Sequence, residues 1–109
     1  MEEIALSDIT GNRRQLVEMM LEINFGQIEG LRIKAGDPVF DPPPEIIREI
    51  IFGKENNANR HIRKTDYTLK RHVIELFEVM DRIGDGIIRA LAIQNGLPVR
   101  MKLEKKYRG

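Results

Sequence analysis

The chain contains no cysteine. That excludes disulfides, thiolate zinc sites and cysteine nucleophiles. It holds one serine, Ser7, with no Gly-x-Ser-x-Gly around it, so no serine nucleophile is set up. The two histidines, His61 and His72, stand eleven residues apart, in neither HxxxH nor HExxH spacing. No metal site and no cofactor follow from them. No apolar run approaches the roughly 20 residues that a membrane-spanning helix requires. The first residues, Met1-Glu2-Glu3-Ile4, are acidic where a secretory signal would be basic. The expectation is a soluble, cytoplasmic protein with no membrane partner.

What is present is enough for one domain. A chain of 109 residues with 41% hydrophobic side chains can bury a core without covalent staples. The formal net charge is only +1, but it is unevenly spread. Residues 1–30 carry six acids and two bases; residues 54–72 carry six bases and two acids; residues 99–109 carry five bases and one acid. Such a split suits an anionic partner or a neighbouring copy of opposite charge.

The strongest pattern is an internal echo. Gly26-Gln27-Ile28-Glu29-Gly30-Leu31-Arg32-Ile33-Lys34-Ala35-Gly36-Asp37-Pro38-Val39 returns sixty residues later as Gly86-Ile87-Ile88-Arg89-Ala90-Leu91-Ala92-Ile93-Gln94-Asn95-Gly96-Leu97-Pro98-Val99. The shared form is G-x-I-x-x-L-x-I-x-x-G-x-P-V. Each copy follows a segment of helical periodicity, so the chain reads as a helix–hairpin unit written twice.

Leu16, Met19, Met20 and Ile23 recur at helical spacing, which predicts a helix over 13–24 with Asn12 as its N-cap. Residues 27–34 alternate as a half-buried strand. Ile28 is out of phase with Leu31 and Ile33, so Gly30 marks a bulge. Ala35-Gly36 makes the first turn and 37–40 returns. Asp41-Pro42-Pro43-Pro44 is read as a stiff spacer carrying the chain across the domain.

Residues 45–53 fit either a helical face or a strand buried on both sides; the isoleucine enrichment favours the strand. Residues 54–65 are polar and read as a loop. A second helix, capped by Thr65 or Asp66, carries the stripe Leu69, Val73, Leu76, Phe77, Met80, Ile83 and ends at Gly84. A hairpin over 87–103 follows, turning at Asn95-Gly96, a type I′ signal. It is expected to set Leu91 and Ile93 opposite Val99, Met101 and Leu103, leaving 104–109 as a basic tail. The order α-β-β-β-α-β-β predicts an α+β domain, two helices on one face of an antiparallel sheet.

Phe25-Gly26-Gln27-Ile28 with Leu31, Ile33 and Gly36 resembles the YezD-like family of short bacterial proteins. That family shows an aromatic-Gly step, an alternating apolar strand and a turn glycine. The second half has Ile83-Gly84 or Asp85-Gly86 in place of the aromatic step. The resemblance implies a helix–hairpin unit and carries no activity or site residue with it.

For chemistry, the carboxylates of both helices sit at amphipathic spacings and read as solvated faces. The basic segment is the candidate binding element: Arg60, His61, Arg63 and Lys64, with Lys70 and Arg71 in the first helical turn, and Tyr67 as the nearby aromatic. The preferred function is a small non-enzymatic binding or structural module acting through protein–protein contact, as a homodimer. The first alternative is a nucleic-acid-binding accessory protein using residues 54–72. The second is a small enzyme with its site at an oligomer interface.

Overall fold

The computed structural model describes residues 11–53 and 71–104. Among these lie α1 (Gly11–Ile23), β1 (Phe25–Lys34), β2 (Asp37–Val39), β3 (Glu45–Arg48), α2 (Arg71–Ile83), β4 (Gly86–Gln94) and β5 (Leu97–Glu104). The fold is α+β. The five strands make one antiparallel sheet in the order β2-β1-β4-β5, with β3 also on β1. The two helices cover one face.

That face is the core. Ile28, Leu31 and Ile33 of β1 and Ile88, Leu91 and Ile93 of β4 are buried beneath Leu16, Val17 and Met20 of α1 and Val73, Leu76, Phe77 and Met80 of α2. The helical stripes arise from the three- and four-residue recurrence of these side chains.

Ile28 and Leu31 are three residues apart yet both point inward, so one residue between them must be extra. Gly30, with φ of 70°, is exposed and supplies it. On β4 the β5 register jumps between Ile88 and Ala90, which makes Arg89 the extra residue there.

The central ladder has twofold order. Adding sixty to one partner and subtracting sixty from the other turns Gly26↔Ile93 into Ile33↔Gly86, Gln27↔Ala92 into Arg32↔Ile87, and Ile28↔Leu91 into Leu31↔Ile88. The connections obey the same operation. The Gly36 amide donates to the Gly84 carbonyl at 2.8 Å, and the Gly96 amide donates to the Asn24 carbonyl at 3.0 Å. Both helices end in a left-handed residue whose amide reaches back one turn: Asn24 to Met20 at 3.0 Å and Gly84 to Met80 at 3.1 Å. Both turns have positive φ at each central residue, Ala35-Gly36 and Asn95-Gly96, as type I′ requires.

Several details differ from the sequence expectation. Asn12 does not stand outside the helix as its cap; it lies within α1, and its side-chain amide donates to the Pro38 carbonyl at 2.8 Å. Residues 45–48 are a strand, but all four are exposed. The prolines do not carry the chain across the domain. β2 and β3 lie end to end on the same side of β1, β2 against Arg32–Lys34 and β3 against Gly26–Glu29. Pro42–Pro44 therefore loop the chain out and return it to the strand it left.

Together β2 and β3 border β1 as β5 borders β4. All four β3 residues are exposed, so among the described residues they are not part of the buried core. In the second hairpin Leu91 faces Met101, Ile93 faces Pro98 and Ile88 faces Leu103. Val99 has no opposite residue, because a second register jump falls between Ala92 and Ile93. Glu104 belongs to β5, opposite Ile87. The cap and first residue proposed for the second helix, Thr65, Asp66 and Leu69, lie outside the described residues, as do the 54–65 loop and the tail from 105.

Candidate interaction surface

Of the basic candidates, Arg60, His61, Arg63, Lys64 and Lys70 lie outside the described residues. Arg71 begins α2, where its Nε donates to Glu75 Oε1 at 3.0 Å, one turn along an exposed helix face. That pairing is the usual i,i+4 support of a solvated helix. His72 is also exposed. With Glu75 and Val79 it lines a groove of about 150 Å³ between α2 and the Pro98–Met101 stretch of β5.

The uncovered sheet face holds a second concavity, about 570 Å³, floored by Arg32, Lys34 and Ile87 and flanked by Asp41 and Asp85. Its charges balance, and Asp85 is occupied: its Oδ1 accepts the Ala35 amide at 2.8 Å and so holds the first turn. Among the described residues no group of three or more His, Asp or Glu side chains converges as metal ligands would. None of their helices is long and apolar enough to cross a membrane.

Strand pairing arranges the remaining charge on the uncovered face in rows. One row reads Glu45, Glu29, Ala90, Lys102; the next reads Ile47, Gln27, Ala92, Arg100. Acids gather toward β3 and bases toward β5, with alanines between.

The exposed apolar side chains are distributed just as unevenly. Among the described residues the large ones are Ile46 (48% exposed), Ile47 (41%), Ile50 (58%), Phe52 (93%), Val99 (39%) and Leu103 (44%). Each lies on β3, on the segment that leaves it, or on β5. These are the two outer borders of the sheet.

A glycine fixes β3 in place. A methyl on Gly26 would lie 2.1 Å from the Ile47 carbonyl oxygen, so only a residue without Cβ lets β3 approach. The Glu49 amide then donates to the Phe25 carbonyl at 2.8 Å and extends the docking past the strand.

Sequence reasoning singled out the basic 60–71 segment, of which Arg71 alone lies among the described residues, and did not single out the border residues. Their isoleucines were visible, but nothing local marks a strand as lying at the edge of its sheet.

These features define a two-layer α+β domain with an apolar border on each side. Comparison with models of protein families, with curated proteins and with solved structures finds no match.

Proposed function

We propose that this domain is a non-catalytic binding module that works through protein–protein contact, and that its partner is a second copy of the same chain. One observation carries the reading: among the described residues, the exposed large apolar side chains, Phe52 at 93% foremost, are confined to the sheet borders. Single exposed apolar residues are ordinary; four within residues 46–52, two on an edge strand and two on the segment that leaves it, support a contact surface. Edge strands offer unpaired amides and carbonyls to another strand, and apolar side chains beside them add the desolvation that makes such pairing hold.

The two halves are, on this reading, copies of one helix–hairpin unit. The twofold register of the β1–β4 ladder and the paired glycine amide bonds support that. A unit of this kind is also what the YezD-like resemblance describes. Association between chains would extend a sheet already built by joining two such units.

Light scattering on the purified chain tests the reading. The wild type should show a mass above the 12.6 kDa of one chain at tens of micromolar. Ile47→Lys combined with Phe52→Ser should return it to the single-chain mass with its circular dichroism unchanged, because both side chains are exposed. A wild type that stays at one chain's mass rejects self-association.

A further inference from the structure

We propose that copies of this chain join head to tail, the β3 border of one molecule against the β5 border of the next. The inference rests on the self-association reading above and adds the geometry of the contact.

The topology permits it without reorientation. β1 runs antiparallel to both β3 and β4, and β4 runs antiparallel to β5, so β3 and β5 are themselves antiparallel. They close opposite sides of the sheet. A second copy in the same orientation, set beside β5, therefore offers its β3 as the next antiparallel strand. Both helical layers then stay on the same side, and the ladder continues with favourable pairing throughout.

The chemistry of the two borders is complementary. Residues 45–52 carry Glu45, Arg48 and Glu49, a net charge of −1; residues 97–104 carry Arg100, Lys102 and Glu104, a net charge of +1. Glu104 is already drawn toward Arg89, 3.8 Å away. Pro98 lacks an amide hydrogen and Val99 is the bulged residue, which leaves Arg100–Glu104 as the pairable stretch of β5. Its Arg100–Lys102 part can lie along Glu45–Ile47 of β3. The register that sets Glu45 opposite Lys102 sets Ile46 opposite Met101 and Ile47 opposite Arg100, and it opposes no like charges.

Coverage decides between this contact and a twofold one. β3 against β3 would cover Ile46 and Ile47 and leave Val99 and Leu103 in water. β5 against β5 would do the reverse and leave Ile46 and Ile47 in water. A single head-to-tail contact brings Ile46 and Ile47 of one molecule against the β5 border that carries Val99 and Leu103 of the next. Because such a contact does not consume its own surface, it propagates into a ring or an open chain.

Two blocked variants test this. Ile47→Lys/Phe52→Ser removes the β3 border and keeps β5. Lys102→Glu/Leu103→Glu removes the β5 border and keeps β3. Each should run as a single chain by light scattering. Mixed in equal amounts, they should form a species of twice that mass and nothing larger, since each supplies the border the other lacks. If Lys102→Glu/Leu103→Glu alone still associates, or Ile47→Lys/Phe52→Ser alone does, the contact is twofold or lies elsewhere, and the head-to-tail geometry is wrong. A mixture that stays at single-chain mass also overturns it. A wild type that never associates rejects the underlying reading instead. Circular dichroism checks the fold of each variant; if a double variant unfolds, Ile47→Lys and Lys102→Glu serve as its single-site replacements, with the same outcomes.

Discussion

Gly26 and Ile47 are in backbone contact: the place a β-carbon would take at Gly26 lies 2.1 Å from the Ile47 carbonyl oxygen. The Phe25-Gly26 step that the sequence shows as a helix–strand junction is thus also the seat of an edge strand forty-five to forty-eight residues into the chain. Gly86, its counterpart, is nearest instead to the Ile83 side chain at 3.0 Å. A methyl at Gly86 therefore meets a side chain that can move, whereas at Gly26 it meets backbone that cannot without β3 shifting.

Gly26→Ala should detach β3. The core beneath α1 and α2 does not include β3, so the domain should stay folded with a stability loss of roughly 1–3 kcal/mol from the displaced strand. Hydrogen exchange at residues 46–49 should accelerate in the variant while the β1–β4 ladder keeps its protection. Equal acceleration across the sheet would show that β3 is integral to the fold.

Phe77 is 7% exposed, and Arg13 lies over its ring, Cζ 5.1 Å from the centroid. Arg13 also donates from Nε to Asp37 at 3.0 Å and from Nη2 to the Gly36 carbonyl at 3.0 Å, and it pairs with Asp81. One side chain of α1 thereby ties the first turn to α2. Phe77→Ala should cost about 3–5 kcal/mol through the lost ring and the cavity left behind. Arg13→Ala should cost less, on the order of 1 kcal/mol, because its carboxylate partners are mostly exposed. Urea denaturation of both variants checks the ranking; the reverse order would mean that the helix interface depends on the ion pairs more than on the ring.

Ala35 holds φ of 52° where its counterpart Asn95 holds 54°. Alanine in the left-handed region is strained by about 1–2 kcal/mol relative to residues that tolerate it. Ala35→Asn should therefore stabilise the domain by roughly 0.5–1 kcal/mol, since asparagine suits this conformation. A thermal midpoint that rises confirms it; one that falls would mean the added side chain disrupts the Asp85 bond to the residue 35 amide.

Much of the fold was legible in the sequence. Helical spacing marked Leu16, Met20, Val73, Leu76, Phe77 and Met80 as core, and Asn95-Gly96 named its own turn. The face switch between Ile28 and Leu31 located the bulge at Gly30. Those signals are local. What stayed hidden is non-local: isoleucines at 46 and 47 read as buried because hydrophobicity reports the preference of a side chain, not the cover available to it. Pro42–Pro44 read as a spacer because stiffness says nothing of where the chain goes next. The bulges at Arg89 and Val99 appear only once β4 and β5 are paired. The same limit applies to the candidate surfaces. A cluster of bases is visible in one stretch of sequence, whereas two borders that complement each other, residues 45–52 and 97–104, become a surface only when the sheet order is known.

The contact itself can be watched by hydrogen exchange on the wild-type chain, comparing dilute with concentrated solution. Self-association through the borders predicts that added protection at high concentration falls on residues 45–52 and 100–104, with α1, α2 and the β1–β4 ladder unchanged. Protection that does not vary with concentration, or that grows on the helices and spares both borders, would contradict the account.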